Sequence, residues 1–123
     1  MARILLIDDD DAFRNALRLT LIHHGHTVTE ARDGKEGIKL FPSISADLVI
    51  TDIVMPEKEG LEVLMELKKS SPSVKVIAIS GGGHLSAEDC LRIAQRMGAV
   101  KVLKKPFLSA DIMSAINDIV PTS

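Results

Sequence analysis

The sequence predicts an α/β fold, a doubly wound five-stranded parallel sheet with helices on both faces. Three observations predict it. Short apolar runs alternate regularly with amphipathic stretches; the first run is apolar throughout, as in a strand buried on both faces; and Gly or Pro punctuates several joins. Strict βα alternation argues for a parallel sheet wrapped on both sides. Right-handed crossovers leave few topologies, and strand order 2-1-3-4-5 is the commonest for five strands.

The elements follow in order. Ile4 to Ile7 is the first strand. Ala12 to His24 is a helix, with Phe13, Ala16, Leu17, Leu19 and Leu21 near helical spacing, and Gly25 stops it. Thr27 to Ala31 alternates and is β-branched, so it reads as the second strand. After the Asp33-Gly34 turn, Gly34 to Phe41 is a weak helix that Pro42 should end. Asp47 to Thr51 is the third strand, leading through Met55-Pro56 and Gly60 into a helix with Leu61, Leu64, Met65 and Leu67 on one face. Val74 to Ile79 is the fourth strand. Past Gly81-Gly82-Gly83, Ser86 caps a helix to Met97, with Asp89 at its third position. Val100 to Leu103 is the fifth strand, and Ser109 to Val120 the last helix.

No repeat, linker or low-complexity segment interrupts residues 1–123, so a single domain with no output segment is expected. Apolar residues at 46% and charged residues at 26% are those of an ordinary globular protein. The net charge of −2 offers no excess of cations to grip a phosphate backbone, and nucleic-acid binding is not expected. The apolar run before the aspartates is too short for a signal sequence or a membrane span. The lone Cys90 fits a reducing compartment, so a cytoplasmic setting is expected.

In such a sheet the ligand site lies outside the carboxyl ends of the strands, where the winding reverses between strands 1 and 3. Strand 1 ends in Asp8-Asp9, strand 3 in Asp52, strand 4 in Ser80, and strand 5 in Lys104-Lys105. Carboxylates brought within ~4 Å repel by roughly 4 kcal/mol per pair at an effective dielectric of ~20. A hard oxygen set with room for water suits Mg²⁺, and no Cys/His set competes. A phosphoryl group on Asp52 would bring about −2, against +2 from Mg²⁺ and +1 from Lys105, beside the −2 of Asp8 and Asp9. The balance of about −1 is tolerable if the Ser80 hydroxyl and backbone N–H groups donate. A carboxylate in line with a leaving group is a competent nucleophile toward phosphorus.

These residues resemble the receiver domain of two-component response regulators, the CheY-like family of flavodoxin-like fold. The likeness runs through Ile4 to Asp10, Leu48 to Pro56 with Gly60, Val76 to Ser80, Gly98-Ala99 and Lys105-Pro106-Phe107. The family has the same 2-1-3-4-5 order, so resemblance and alternation are not independent arguments. The resemblance implies Asp52 as phosphoacceptor, assisted by Ser80 and Lys105. It implies Asp9 as a direct Mg²⁺ ligand, Asp8 acting largely through water, and the Val54 main-chain carbonyl as a further ligand. It implies a cis Lys105-Pro106 bond. The donor would be a phosphohistidine on a histidine kinase or phosphotransfer protein, and a downstream protein would be met through the fourth helix, fifth strand and fifth helix.

The sequence departs from the family in two respects. Val102 stands where an aromatic residue is usual, three before the lysine, and the chain has no tyrosine. The signal is therefore expected to travel through the Ser80-Gly83 loop and the helix after it. Val54 and Gly82 offer no polar group to hold an attacking water, so slow self-dephosphorylation is expected. Two rival functions remain: a Mg²⁺-dependent phosphohydrolase with an aspartyl-phosphate intermediate, and a binding module with a degenerate acidic site. The first lacks its Asp-x-Asp-x-Thr/Val pattern, since Asp8 to Asp11 ends in Ala12.

Asp10 and Asp11 read as helix-capping acids, and Lys101 and Lys104 as edge-strand lysines. His23, His24 and His26 fit the cationic end of a helix better than any metal motif. The glycine run lacks the Lys-Ser/Thr of a P-loop, and Cys90 reads as a plain buried thiol.

Overall fold

The computed structural model describes residues 2–53, 60–80 and 87–120, leaving aside the side chains at 60, 61, 87, 88, 90 and 91. Five strands alternate with five helices: β1 Arg3–Ile7, α1 Asp11–His23, β2 Thr27–Ala31, α2 Gly34–Ile44, β3 Leu48–Asp52, α3 Gly60–Ser70, β4 Val76–Ser80, α4 Ala87–Arg96, β5 Lys101–Lys104 and α5 Ser109–Ile119. All four strand pairings are parallel, and the order is β2-β1-β3-β4-β5, as the alternation predicts.

Period-two alternation sorts each strand's side chains onto two cores. Ile4 and Leu6 of β1 face one way, with Leu17 and Leu21 of α1 and Ile112 and Ile116 of α5. Leu5 and Ile7 face the other, with Val63, Leu64 and Leu67 of α3 and Ala94 of α4. β3 and β4 are buried along their whole length, which explains why their sequences are apolar rather than alternating.

Local chemistry sets the helix starts. The Phe13 N–H donates to Asp10 Oδ1 at 3.1 Å and the Glu36 N–H to Asp33 Oδ1 at 2.9 Å, so both aspartates act as N-caps. Gly25, at φ 92°, takes the left-handed turn that ends α1. Gly37 lets α2 lie close on β1, where an added Cβ would come within 2.8 Å of Ile7 Cγ1.

Several expectations are corrected. α2 does not stop at Pro42 but runs through it to Ile44, ending at Ser45 in the left-handed region. Phe41 and Ile44 pack against the core on either side of the proline, and their burial offsets the hydrogen bond lost there. Met65 is 57% exposed, because the buried stripe of α3 is Val63, Leu64 and Leu67. At 3.6 residues per turn, Met65 points roughly 150° away from the centre of that stripe. β3 begins at Leu48; Asp47, just before it, donates its N–H to the Arg3 carbonyl at 2.8 Å and accepts the Arg3 N–H on Oδ2 at 2.8 Å.

Of the histidines, His24 caps α1 with Nδ1 2.9 Å from the Thr20 carbonyl, but His26 is buried and accepts the Ala2 N–H on Nδ1 at 3.1 Å. The Ser86 cap, the Gly81–Gly83 run, Met55-Pro56 and the Cys90 side chain lie outside the described residues. Among the described residues, no helix is long and apolar enough to cross a membrane.

Candidate functional site

Asp8 follows β1, Asp52 ends β3, Ser80 ends β4 and Lys105 follows β5, so the parallel sheet delivers all four to one edge. Carboxylate oxygens of Asp8, Asp9 and Asp52 lie within 4.8 Å of one another. Asp8 and Asp52 are buried, while Asp9 is exposed. Lys105 Nζ donates to Asp8 Oδ2 at 3.0 Å and to Asp52 Oδ2 at 2.9 Å. Among the described residues, one ammonium stands against three carboxylates, a difference of about two negative charges that a divalent cation would fill.

Burial, with the charge of Asp52 adding to it, holds the Asp8 carboxyl above its ordinary value despite the hydrogen bonds from Asp10 and Lys105. For Lys105, burial acts against the charge. Its hydrogen bonds and charge attraction to Asp52 and Asp8 outweigh that and hold the ammonium above its ordinary value.

Backbone contacts fix the strand tips. The Asp8 N–H donates to the Ala31 carbonyl at 3.2 Å, and Asp8 Oδ1 accepts the Asp10 N–H at 2.9 Å. The Lys105 N–H donates to the Ser80 carbonyl at 2.8 Å, and the Lys105-Pro106 peptide is cis, as the resemblance implied. Ser80 is fully buried, and its Oγ has no hydrogen-bond partner among the described residues. Native buried hydroxyls are almost always satisfied, so this one is suited to an oxygen brought by a ligand. It sits one residue past Ile79, which is in register with Asp52. Val54 and Gly82, expected to bear on metal ligation and on water access, lie outside the described residues, as does most of the Ser80-Gly83 loop. Val102 packs half-buried against the core.

Two contributors escaped the sequence. Arg14, nearly buried, donates from Nη1 to the Asp8 carbonyl at 2.7 Å and from Nε to Glu30 at 3.1 Å. Phe13 presents its ring to Lys105, with Nζ 4.0 Å from the centroid. The only legible hint of either was the i,i+3 spacing of Asp11 and Arg14, whose ion pair is 2.7 Å. A cavity of about 500 Å³ between α2 and α3, lined by Ile38, Phe41 and Leu67 among others, lies away from these groups and carries none of their chemistry.

Known proteins share this pattern. The family described as "Response regulator receiver domain" matches residues 4–117. The chain is 32% identical to chemotaxis protein CheY of Halobacterium salinarum, covering 96% of both. It is 34% identical to response regulator MprA of Mycolicibacterium vanbaalenii, covering 91% of this chain but only 47% of that protein. Among solved structures it is similar to a response regulator receiver domain protein from Clostridium thermocellum, at 34% identity and TM-score 0.90, covering 98% of this chain and 94% of the other. It is also similar to response regulator TrrA of Thermotoga maritima, solved in complex with Mg²⁺-BeF, at 30% identity and TM-score 0.83, covering 98% and 100%. Sheet order, acidic edge and family match agree: the chain belongs to the response regulator receiver domains of two-component systems, a family typically phosphorylated on aspartate.

Proposed function

We propose that Asp52 accepts a phosphoryl group in a Mg²⁺-dependent reaction, with a phosphohistidine on a histidine kinase or phosphotransfer protein as donor. The carrying observation is the convergence of three carboxylates and the Lys105 ammonium at a single sheet edge, beside a buried hydroxyl that has no partner among the described residues. The donor set fits the ion: hard oxygens only, with Asp9 exposed to solvent so that waters can complete the shell. Asp8, Asp9 and Asp52 would hold the metal, with the Val54 carbonyl as the fourth protein ligand. When bound, the ion supplies neutralisation of charge on the transferring oxygens.

The chain's own residues do the rest. An Asp52 carboxylate oxygen attacks phosphorus in line; the bond from phosphorus to the donor nitrogen breaks, and the imidazole keeps that electron pair and takes a proton. Lys105 follows the developing charge from Asp52 to the phosphoryl oxygens, and the Ser80 hydroxyl donates to one of them. The acyl phosphate then changes how a downstream protein meets α4, β5 and α5, in the cytoplasm.

Incubation with acetyl phosphate and Mg²⁺, read by intact mass, tests this. One phosphoryl adduct is expected, absent from Asp52→Asn and absent without the metal. An adduct that persists in Asp52→Asn would place the acceptor elsewhere.

A further inference from the structure

We infer that Phe13 is a positioning residue for phosphoryl transfer, its ring holding the Lys105 ammonium against Asp52; this rests on the reading of Asp52 as acceptor. Lysine is a flexible four-carbon stem whose fixed orientation costs up to about 2 kcal/mol of rotamer entropy. Among the described residues, three contacts hold it here: Asp8 at 3.0 Å, Asp52 at 2.9 Å, and the Phe13 ring centroid at 4.0 Å. Together they leave the lysine side chain only 17% exposed.

The ring itself is anchored. The Phe13 N–H is tied to the Asp10 cap at 3.1 Å, and Phe107 meets the ring edge-to-face, with centroids 5.8 Å apart and planes at 87°. Phe107 lies two residues past Lys105, so the lysine and the brace of its aromatic partner are carried on one short segment.

The three partners differ in what the reaction does to them. Asp52 exchanges its carboxylate charge for that of a phosphoryl group when it is phosphorylated, and Asp8 shares its charge with a cation when one binds. The Phe13 ring alone keeps the same electrostatic face throughout. It therefore holds Nζ at the site while the lysine exchanges a carboxylate for phosphoryl oxygens. An aromatic face over a partly desolvated ammonium lies between the exposed and the desolvated ranges for cation–π attraction.

The test replaces Phe13 alone with phenylalanines bearing one, two and three ring fluorines, which drain the face at nearly constant shape. Phosphorylation by acetyl phosphate is timed at saturating Mg²⁺, beside Mg²⁺ affinity and the urea midpoint. The rate should fall stepwise, reaching about three- to tenfold with three fluorines, while Mg²⁺ affinity does not fall and the urea midpoint holds. Phe13→Leu should match the slow end of the series. A flat series on a wild-type chain that does phosphorylate overturns this inference alone, as does a loss that follows the urea midpoint. A wild-type chain that takes no phosphoryl group overturns the acceptor reading and this one together.

Discussion

Asp52 and Lys105, 53 residues apart in the chain, meet in a 2.9 Å ion pair that closes the sheet edge between β3 and the end of β5. The same ammonium reaches Asp8, so two nearly buried carboxylates share one counter-charge. Breaking a buried pair by removing one partner costs several kcal/mol, because the remaining charge stays desolvated.

Lys105→Ala should therefore lower stability by about 1–3 kcal/mol. The loss is kept toward the low end because Asp8, already held above its ordinary value, can take a proton. Mg²⁺ should restore more stability to the variant than it adds to the wild type, since it no longer competes with the ammonium. With no Trp or Tyr in the chain, urea unfolding is best followed by circular dichroism. Equal stability of variant and wild type without metal would mean that the pair contributes nothing.

Arg14 supports the same edge from beneath. Its guanidinium holds the Asp8 carbonyl, and so the peptide plane that joins Asp8 to Asp9. Burial opposes its charge, but Asp11 and Glu30 outweigh that and keep the guanidinium above its ordinary value. Arg14→Met keeps the stem and deletes the donors, leaving a buried acceptor unsatisfied at about 1–3 kcal/mol. Asp11 is 80% exposed and adds little to that loss. Mg²⁺ affinity, measured by NMR titration well below the unfolding transition, should fall several-fold. Unchanged affinity would confine Arg14 to stability.

The buried His26 makes stability depend on pH. Burial holds it below the ordinary value of 6.5, and its Nδ1 must stay unprotonated to accept the Ala2 N–H. The unfolded chain therefore takes up the proton first. This contribution is complete above pH 6.5 and is lost as pH falls from there through the lowered folded value. Urea midpoints at pH 7.5 and 5.5 should differ more in the wild type than in His26→Gln. An identical difference in both would assign the pH dependence to other groups.

The fold was legible because alternation, glycine stops and wholly apolar strands all pointed one way. Pro42 and Met65 misled for a shared reason. Proline's rule against helix interiors and a broad reading of the α3 stripe are local, whereas the burial of Phe41 and Ile44 and the angle of α3 on the sheet are tertiary. At the site, Asp8, Asp9, Asp52, Ser80 and Lys105 could be named because topology alone puts strand ends together. Arg14 and Phe13 could not, since their contacts with the site depend on how α1 lies across β1 and β2 and on where Phe107 lands. The burial of His26, too, follows from the position of Ala2 rather than from any spacing in the histidine cluster.

The sheet-edge cluster also orders the assembly of the molecule. A chain that has emerged as far as β3 already carries all three acids, yet the Lys105 ammonium that meets two of them lies 53 residues beyond Asp52. Early closure of β1 on β3 sets like charges against one another, and the share of relief that Lys105 supplies arrives when the last strand docks. Docking of the sheet's last strand thus also delivers the Lys105 counter-charge, and a fragment ending before residue 105 has the repulsion without that ammonium.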